Sequence, residues 1–239
     1  MYLKALLDFI SPRKCIVCGR ALGTRERFLC THCRVDFPYT QYWERAHNPL
    51  ADSYNALIQV NISESEPYSW AAALFFYKST SGYREITREL KYRGNRAVGR
   101  AFAAQLGERL AGSPCFRDVD LVVPVPLHPS RRRSRGYNQA EVIAREVASC
   151  LKVPCDTTLL KRRRRTATQT HLDPVRRLAN VSGSFCVSSS RNPDCRHILL
   201  VDDVFTTGAT MAACHKALRT VLGKDVRISA ATLACTGLY

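Results

Sequence analysis

No apolar run in this 239-residue chain approaches the ~18–20 residues a bilayer-crossing helix needs, so no membrane span is expected. The opening stretch MYLKALLDFISPRK is broken by Lys4 and Asp8 and has no small-residue cleavage site, which argues against a secretory signal and for a soluble, cytoplasmic protein. Two nucleotide fingerprints are also missing. None of the twelve glycines begins a GxxxxGK[ST] phosphate loop or a GxGxxG dinucleotide turn, which excludes a P-loop NTPase and a Rossmann dehydrogenase. No repeat of fixed period is visible. Acidic residues are scarce: 20 Asp+Glu against 36 Lys+Arg leave a net charge of +16, which favours polyanionic partners, nucleic acid or phosphorylated metabolites, without choosing between them.

What is present reads as globular. With 46% hydrophobic and 23% charged residues, the length suits one α/β core plus a small accessory module. Residues 1–14 are expected to form a short helix with Leu3, Leu6, Leu7 and Ile10 on one side, ended by Ser11-Pro12. Residues 37–67 have weak periodicity and read as a connector. A buried strand is expected at 69–76 and helices at 83–91 and 97–110. From there strands (121–124, 157–160, 185–187, 198–201, 226–231) alternate with helices (138–151, 210–222), the pattern of a mainly parallel sheet covered on both faces. The division expected is a metal module at 1–36, the connector at 37–67 and the main domain at 68–239.

Eleven cysteines occur, and seven of them (Cys115, Cys150, Cys155, Cys186, Cys195, Cys214 and Cys235) are scattered among apolar residues as small core hydrophobes of a reducing compartment. The other four are paired. Cys15-x2-Cys18 and Cys30-x2-Cys33, eleven residues apart, place four thiolates around one ion as a closed structural zinc site, with Gly19 suiting a knuckle turn. A redox pair or unrelated core cysteines are the alternatives, and His32 is a conceivable substitute ligand.

The apolar run 197–201 is what a central parallel strand needs, and it ends at Asp202-Asp203, placing both carboxylates at the sheet edge where open α/β sheets bind ligands. Thr206, Thr207, Gly208, Ala209 and Thr210 follow and open a helix. Such a turn offers backbone N–H groups, hydroxyls and a positive dipole end to a phosphate. The bland reading is an acidic strand end capping the next helix.

The string LLVDDVFTTGAT closely resembles the phosphoribosyl pyrophosphate (PRPP) motif of type I phosphoribosyltransferases. The segment from Val123 to His128 with Arg135-Gly136-Tyr137-Asn138-Gln139, the set Thr168, Gln169, Arg177, Asn180 and Phe185, and the four-cysteine N-terminus narrow the resemblance to the ComF/GntX family over nearly the whole chain. The resemblance implies a type I phosphoribosyltransferase fold with a small N-terminal zinc-ribbon-like module. It also implies that Asp202 and Asp203 bind the ribose hydroxyls, that 206–210 bind the 5′-phosphate, and that PRPP arrives with Mg²⁺. Val125 and Pro126 would approach the pyrophosphate, with Arg131, Arg132, Arg133 and Arg135 as counter-charges. Residues 161–180, including Arg165 and Gln169, correspond to the family's flexible loop. Thr206 stands where the hypoxanthine-salvage branch has an acid, which argues against purine transfer. Many family members carry further cysteine pairs after the knuckle; none lies between Cys33 and Cys115 here. Three readings stay open: a Mg²⁺-dependent phosphoribosyl transferase with an unidentified acceptor, a protein that handles single-stranded DNA or competence proteins, and a PRPP sensor. Aromatic residues at 39–43 are candidates for base stacking, with packing as the alternative.

Overall fold

A computed structural model describes residues 13–162, 184–188 and 194–236. The expected N-terminal helix and most of the 161–180 loop, with Arg165, Thr168, Gln169, Arg177 and Asn180, lie outside the described residues.

Strands β1 (Ala71–Tyr77), β2 (Leu121–Pro124), β5 (His197–Phe205) and β6 (Arg227–Thr236) form one parallel sheet in the order β1-β6-β5-β2. The central pair reads as near-continuous apolar sequence because both its faces are covered. Alternation within β5 divides the core. Leu199 and Val201 join Phe102, Leu106, Leu110 and Ile143 on one face; Ile198 and Leu200 join Leu50, Tyr54, Met211 and Leu218 on the other. The first face is covered by α3 (Arg84–Tyr92), α4 (Arg96–Ala111) and α6 (Gln139–Leu151), the second by α2 (Pro49–Asn61) and α7 (Ala209–Arg219). Each fully buried Leu, Ile or Phe contributes about 1.5–3 kcal/mol, so these two layers supply most of the driving force. Close approach of α4 and α6 depends on Gly107, where a Cβ would sit 2.7 Å from that of Cys150.

The structure changes two sequence expectations and adds one element. The stretch 37–67 is no mere connector: Asn48 caps α2 by accepting from Ala51 N–H (3.0 Å), Pro49 begins it, and Leu50, Ala51, Tyr54, Asn55 and Ile58 are buried on the sheet. Its apolar stripe is weak because buried Asn55 occupies it, held by Ser69 N–H (2.8 Å) and by donating to Ser69 O (2.7 Å). The strand expected at 157–160 begins three residues later, as β3 (Leu160–Arg162), paired antiparallel with β4 (Phe185–Val187). The Asp156 carboxylate accepts from Thr158 N–H (2.8 Å) and Leu159 N–H (3.1 Å), turning the chain and removing those amides from any ladder; only Cys155 bridges β2, at Val122. Finally, the arginines after β2 lie on a short helix, α5 (Pro129–Arg135), whose N-cap His128 accepts from Ser130 N–H through Nδ1 (3.2 Å).

Among its described residues the N-terminal module adds only α1 (Thr31–Val35) to its knuckle. Glu26 ties it together, accepting from Gly23 N–H (2.7 Å) and Thr31 Oγ1 (2.7 Å). It docks at the start of α3, where Tyr83 donates its hydroxyl to Cys33 O (2.9 Å). Among the described residues no helix is long and apolar enough to cross a membrane.

Candidate functional site

β5 runs past the acid pair to Phe205, after which the chain bends through Thr206 and Thr207 to Gly208, the N-cap of α7. Gly208 has φ +74°, and a Cβ there would lie 2.5 Å from Phe205 Cζ and 2.6 Å from Leu57 Cδ1. Only glycine suits that position. No side chain caps α7, so its first-turn N–H groups face the bend. A small cavity runs from Asp202 past Thr206 and Thr207 to Thr210; Asp203 does not line it. The cavity's geometry suits an anion at the helix end and a hydroxyl donor at Asp202.

Asp202 Oδ1 accepts the N–H of Asp203 (2.8 Å), and Asp203 Oδ1 meets Lys91 Nζ at 3.0 Å. Oδ2 of each aspartate takes no hydrogen bond from the described residues, leaving one acceptor oxygen on each. Burial pushes the Asp202 carboxyl up to about 7, helped by the charge of Asp203 and opposed by the Asp203 amide, Lys91 and Arg162. Near neutrality Asp202 is thus poised between holding its proton and losing it. Lys91 keeps its proton: burial works against it, but Asp203 more than compensates.

Lys91 was not anticipated. It lies on α3, far along the chain from the motif, and its signal was its place on the helix's buried stripe after Ile86, Thr87 and Leu90. Arg162, at the end of β3, falls in the 161–180 stretch expected as the flexible loop. It stacks on Phe185 (5.2 Å to the ring centre), with burial, then the charge of Arg131, lowering its pKa.

The loop after β2 is anchored rather than open. Val125 donates its N–H to Val201 O (2.9 Å) and accepts from Asn138 Nδ2 (3.0 Å), so its backbone holds the loop to β5 and α6; Pro126 has no N–H to offer. Arg135 lies over the Tyr92 ring (5.4 Å), beside Lys91, while Arg132 pairs with Glu141 (3.5 Å). The 39–43 aromatics are packed, with Arg109 over both Tyr39 (4.4 Å) and Trp43 (5.3 Å), so they present no stacking platform.

The sulfurs of Cys15, Cys18, Cys30 and Cys33 all lie within 4.8 Å of one another. Cys18 and Cys30 are 3.6 Å apart, close to the ~3.8 Å edge of a tetrahedron with 2.3 Å Zn–S bonds. Four soft donors in a closed set fit a structural zinc ion and leave no open coordination position. The Cys15 thiol is brought down to about 7: burial opposes this, but the amides of Cys30, Cys18 and Val17 point at its sulfur. His32 lies outside the set, paired with Asp36 (3.2 Å).

A family model described as "Phosphoribosyl transferase domain" matches residues 137–235. The chain is 26% identical over 227 residues to "Competence protein F" of Haemophilus influenzae, covering 93% of this chain and 97% of that one. It is 34% identical over 204 residues to "DNA utilization protein YhgH" of Escherichia coli O157:H7, covering 83% and 80%. With "Competence protein ComFC" of Bacillus subtilis it shares 32% over 155 residues, 63% and 58% of the two chains. Together with the parallel sheet, the acid pair above the Gly208 loop and the four-cysteine module, these likenesses establish that the chain belongs to the ComF family of phosphoribosyltransferase-like proteins.

Proposed function

We propose that the chain binds PRPP at the edge of β5 and β2, in a cytoplasmic role linked to DNA uptake. The observation that carries this reading is the pair of acceptor oxygens on Asp202 and Asp203, one short turn from the glycine-headed start of α7. Two vicinal hydroxyls and a 5′-phosphate are what such a site would take together. The first-turn amides and the Thr206, Thr207 and Thr210 hydroxyls would hold the phosphate, and the acids would hold the diol. Arg135 and Arg162 would face the pyrophosphate side, where a guanidinium bonds phosphate oxygens in pairs. Bound Mg²⁺ would neutralise charge on the pyrophosphate. The zinc ion would be structural, held by Cys15, Cys18, Cys30 and Cys33. If transfer occurs, this chain's part is to fix the ribose and stabilise departing negative charge with its arginines. Incubating PRPP and Mg²⁺ with the protein and candidate acceptors, and assaying released pyrophosphate, separates a transferase from a sensor.

A second reading, direct handling of single-stranded DNA, is favoured by the +16 charge and by relatives named for competence and DNA utilization. Such binding would come from Lys and Arg neutralising phosphates and would weaken steeply with salt. Absence of DNA binding even at low salt would leave only the metabolite readings.

A further inference from the structure

The acid pair needs a cation, and the family motif contains none. Two carboxylates on adjacent residues repel each other, and Asp203 is buried. The charged and titratable groups around Asp202 are Asp203 on its own strand, Lys91 with neighbouring Tyr92 from α3, Arg162 from β3, and Cys214 from α7. Of these, Lys91 makes the direct contact, at 3.0 Å, with a side chain only 25% exposed against 11% for Asp203.

Its placement is firmly held. The Tyr137 hydroxyl donates to Leu90 O, and Arg96 covers the same tyrosine ring (4.4 Å). Glu89 closes the end of α3, accepting from Arg93 (2.5 Å) and Asn95 Nδ2 (3.0 Å), with Gly94 at φ +68° making the turn. Arg135 rests over Tyr92. Residues on either side of Lys91 are therefore pinned by the loop after β2.

We propose that Lys91 is a positioning residue of the diol site: by binding Asp203 through Oδ1 it fixes that carboxylate, balances the charge of the pair and leaves Oδ2 of each aspartate to a ligand hydroxyl. This rests on the PRPP reading above. Lys91 acts through Asp203, so its removal should affect recognition of the ribose and not of the pyrophosphate.

The test is calorimetry on the full zinc-loaded chain with two probes, PRPP with Mg²⁺ and inorganic pyrophosphate with Mg²⁺, between pH 6 and 9. Lys91→Met should weaken PRPP by about tenfold or more, a difference of about 1.4 kcal/mol, and leave pyrophosphate binding within about twofold. Lys91→Arg should recover most of the PRPP affinity. With Lys91→Met the pH at which PRPP binding develops should move upward, because Asp202 loses a cation that favours its ionised form. Equal loss of both probes would overturn the proposal in favour of a direct pyrophosphate contact or a structural role. Unchanged PRPP affinity in Lys91→Met would overturn it too. If the unmodified protein binds pyrophosphate but not PRPP, or neither, the PRPP reading itself fails, an outcome distinct from those two.

Discussion

Replacing Asp202 by Asn should make the ligand-free protein more stable while it loses its proposed ligand. A carboxyl group raised from 3.8 to about 7 in the folded state binds its proton more tightly there than in the unfolded chain. Between these values the folded state holds the extra proton, so this group's contribution to stability falls as pH rises from about 4 to about 7 and the whole cost is present above that. At about 1.4 kcal/mol per pH unit the cost has a ceiling on the order of 4 kcal/mol, reduced in practice because the charges of Lys91 and Arg162 favour the ionised form of Asp202. Asn keeps the carbonyl that accepts Asp203 N–H and removes the charge. Urea unfolding at pH 5 and pH 8, with zinc present throughout, should show Asp202→Asn about 1–3 kcal/mol more stable at pH 8 and only about a third of that gain at pH 5, where the folded carboxyl is still protonated. A gain of equal size at both pH values, or a loss at pH 8, would refute the claim that Asp202 is held ionised at a cost.

The remaining predictions concern the parts that build the site. Gly208→Ala forces a Cβ against Phe205 and Leu57 at φ +74° and should cost about 2–4 kcal/mol in chemical denaturation; a cost under 1 kcal/mol would mean the loop adapts freely. Glu66 is buried between His215 (2.9 Å) and Arg219 (Nε, 2.7 Å), with its pKa lowered because these partners outweigh burial. Glu66→Ala strands Arg219 and should cost about 3–5 kcal/mol at pH 7, with the loss shrinking as pH falls below the carboxylate range; a loss independent of pH would indicate packing alone. Cys30→Ser should lose zinc by elemental analysis and loosen the N-terminal module, leaving PRPP binding largely intact; full zinc occupancy in that variant would exclude Cys30 as a ligand.

How much of this was legible in the sequence depended on locality. The acid pair, the Thr-Gly turn and the cysteine pairs are short-range patterns whose chemistry requires those residues side by side, and one small cavity is lined by Asp202 and by the turn from Thr206 to Thr210. Strand β5 was readable because central parallel strands are apolar throughout. Helix α2 was not, since buried Asn55 breaks its stripe while serving Ser69 by hydrogen bonds that only the tertiary structure reveals. β3 was misplaced because one carboxylate, Asp156, captured the amides that a ladder would have used. Lys91 reaches Asp203 from a helix early in the domain, a contact that no spacing rule encodes.

The central claim is that Asp202 and Asp203 hold a ribose diol beside a phosphate-binding helix end. Calorimetry with PRPP and Mg²⁺ on the unmodified chain and on Asp202→Asn/Asp203→Asn tests it most directly. The substitution keeps the shape of the site, removes both charges and turns part of each acceptor into a donor, so binding should be present in the first protein and at least about a hundredfold weaker in the second. Equal PRPP affinity in the two proteins would contradict the account.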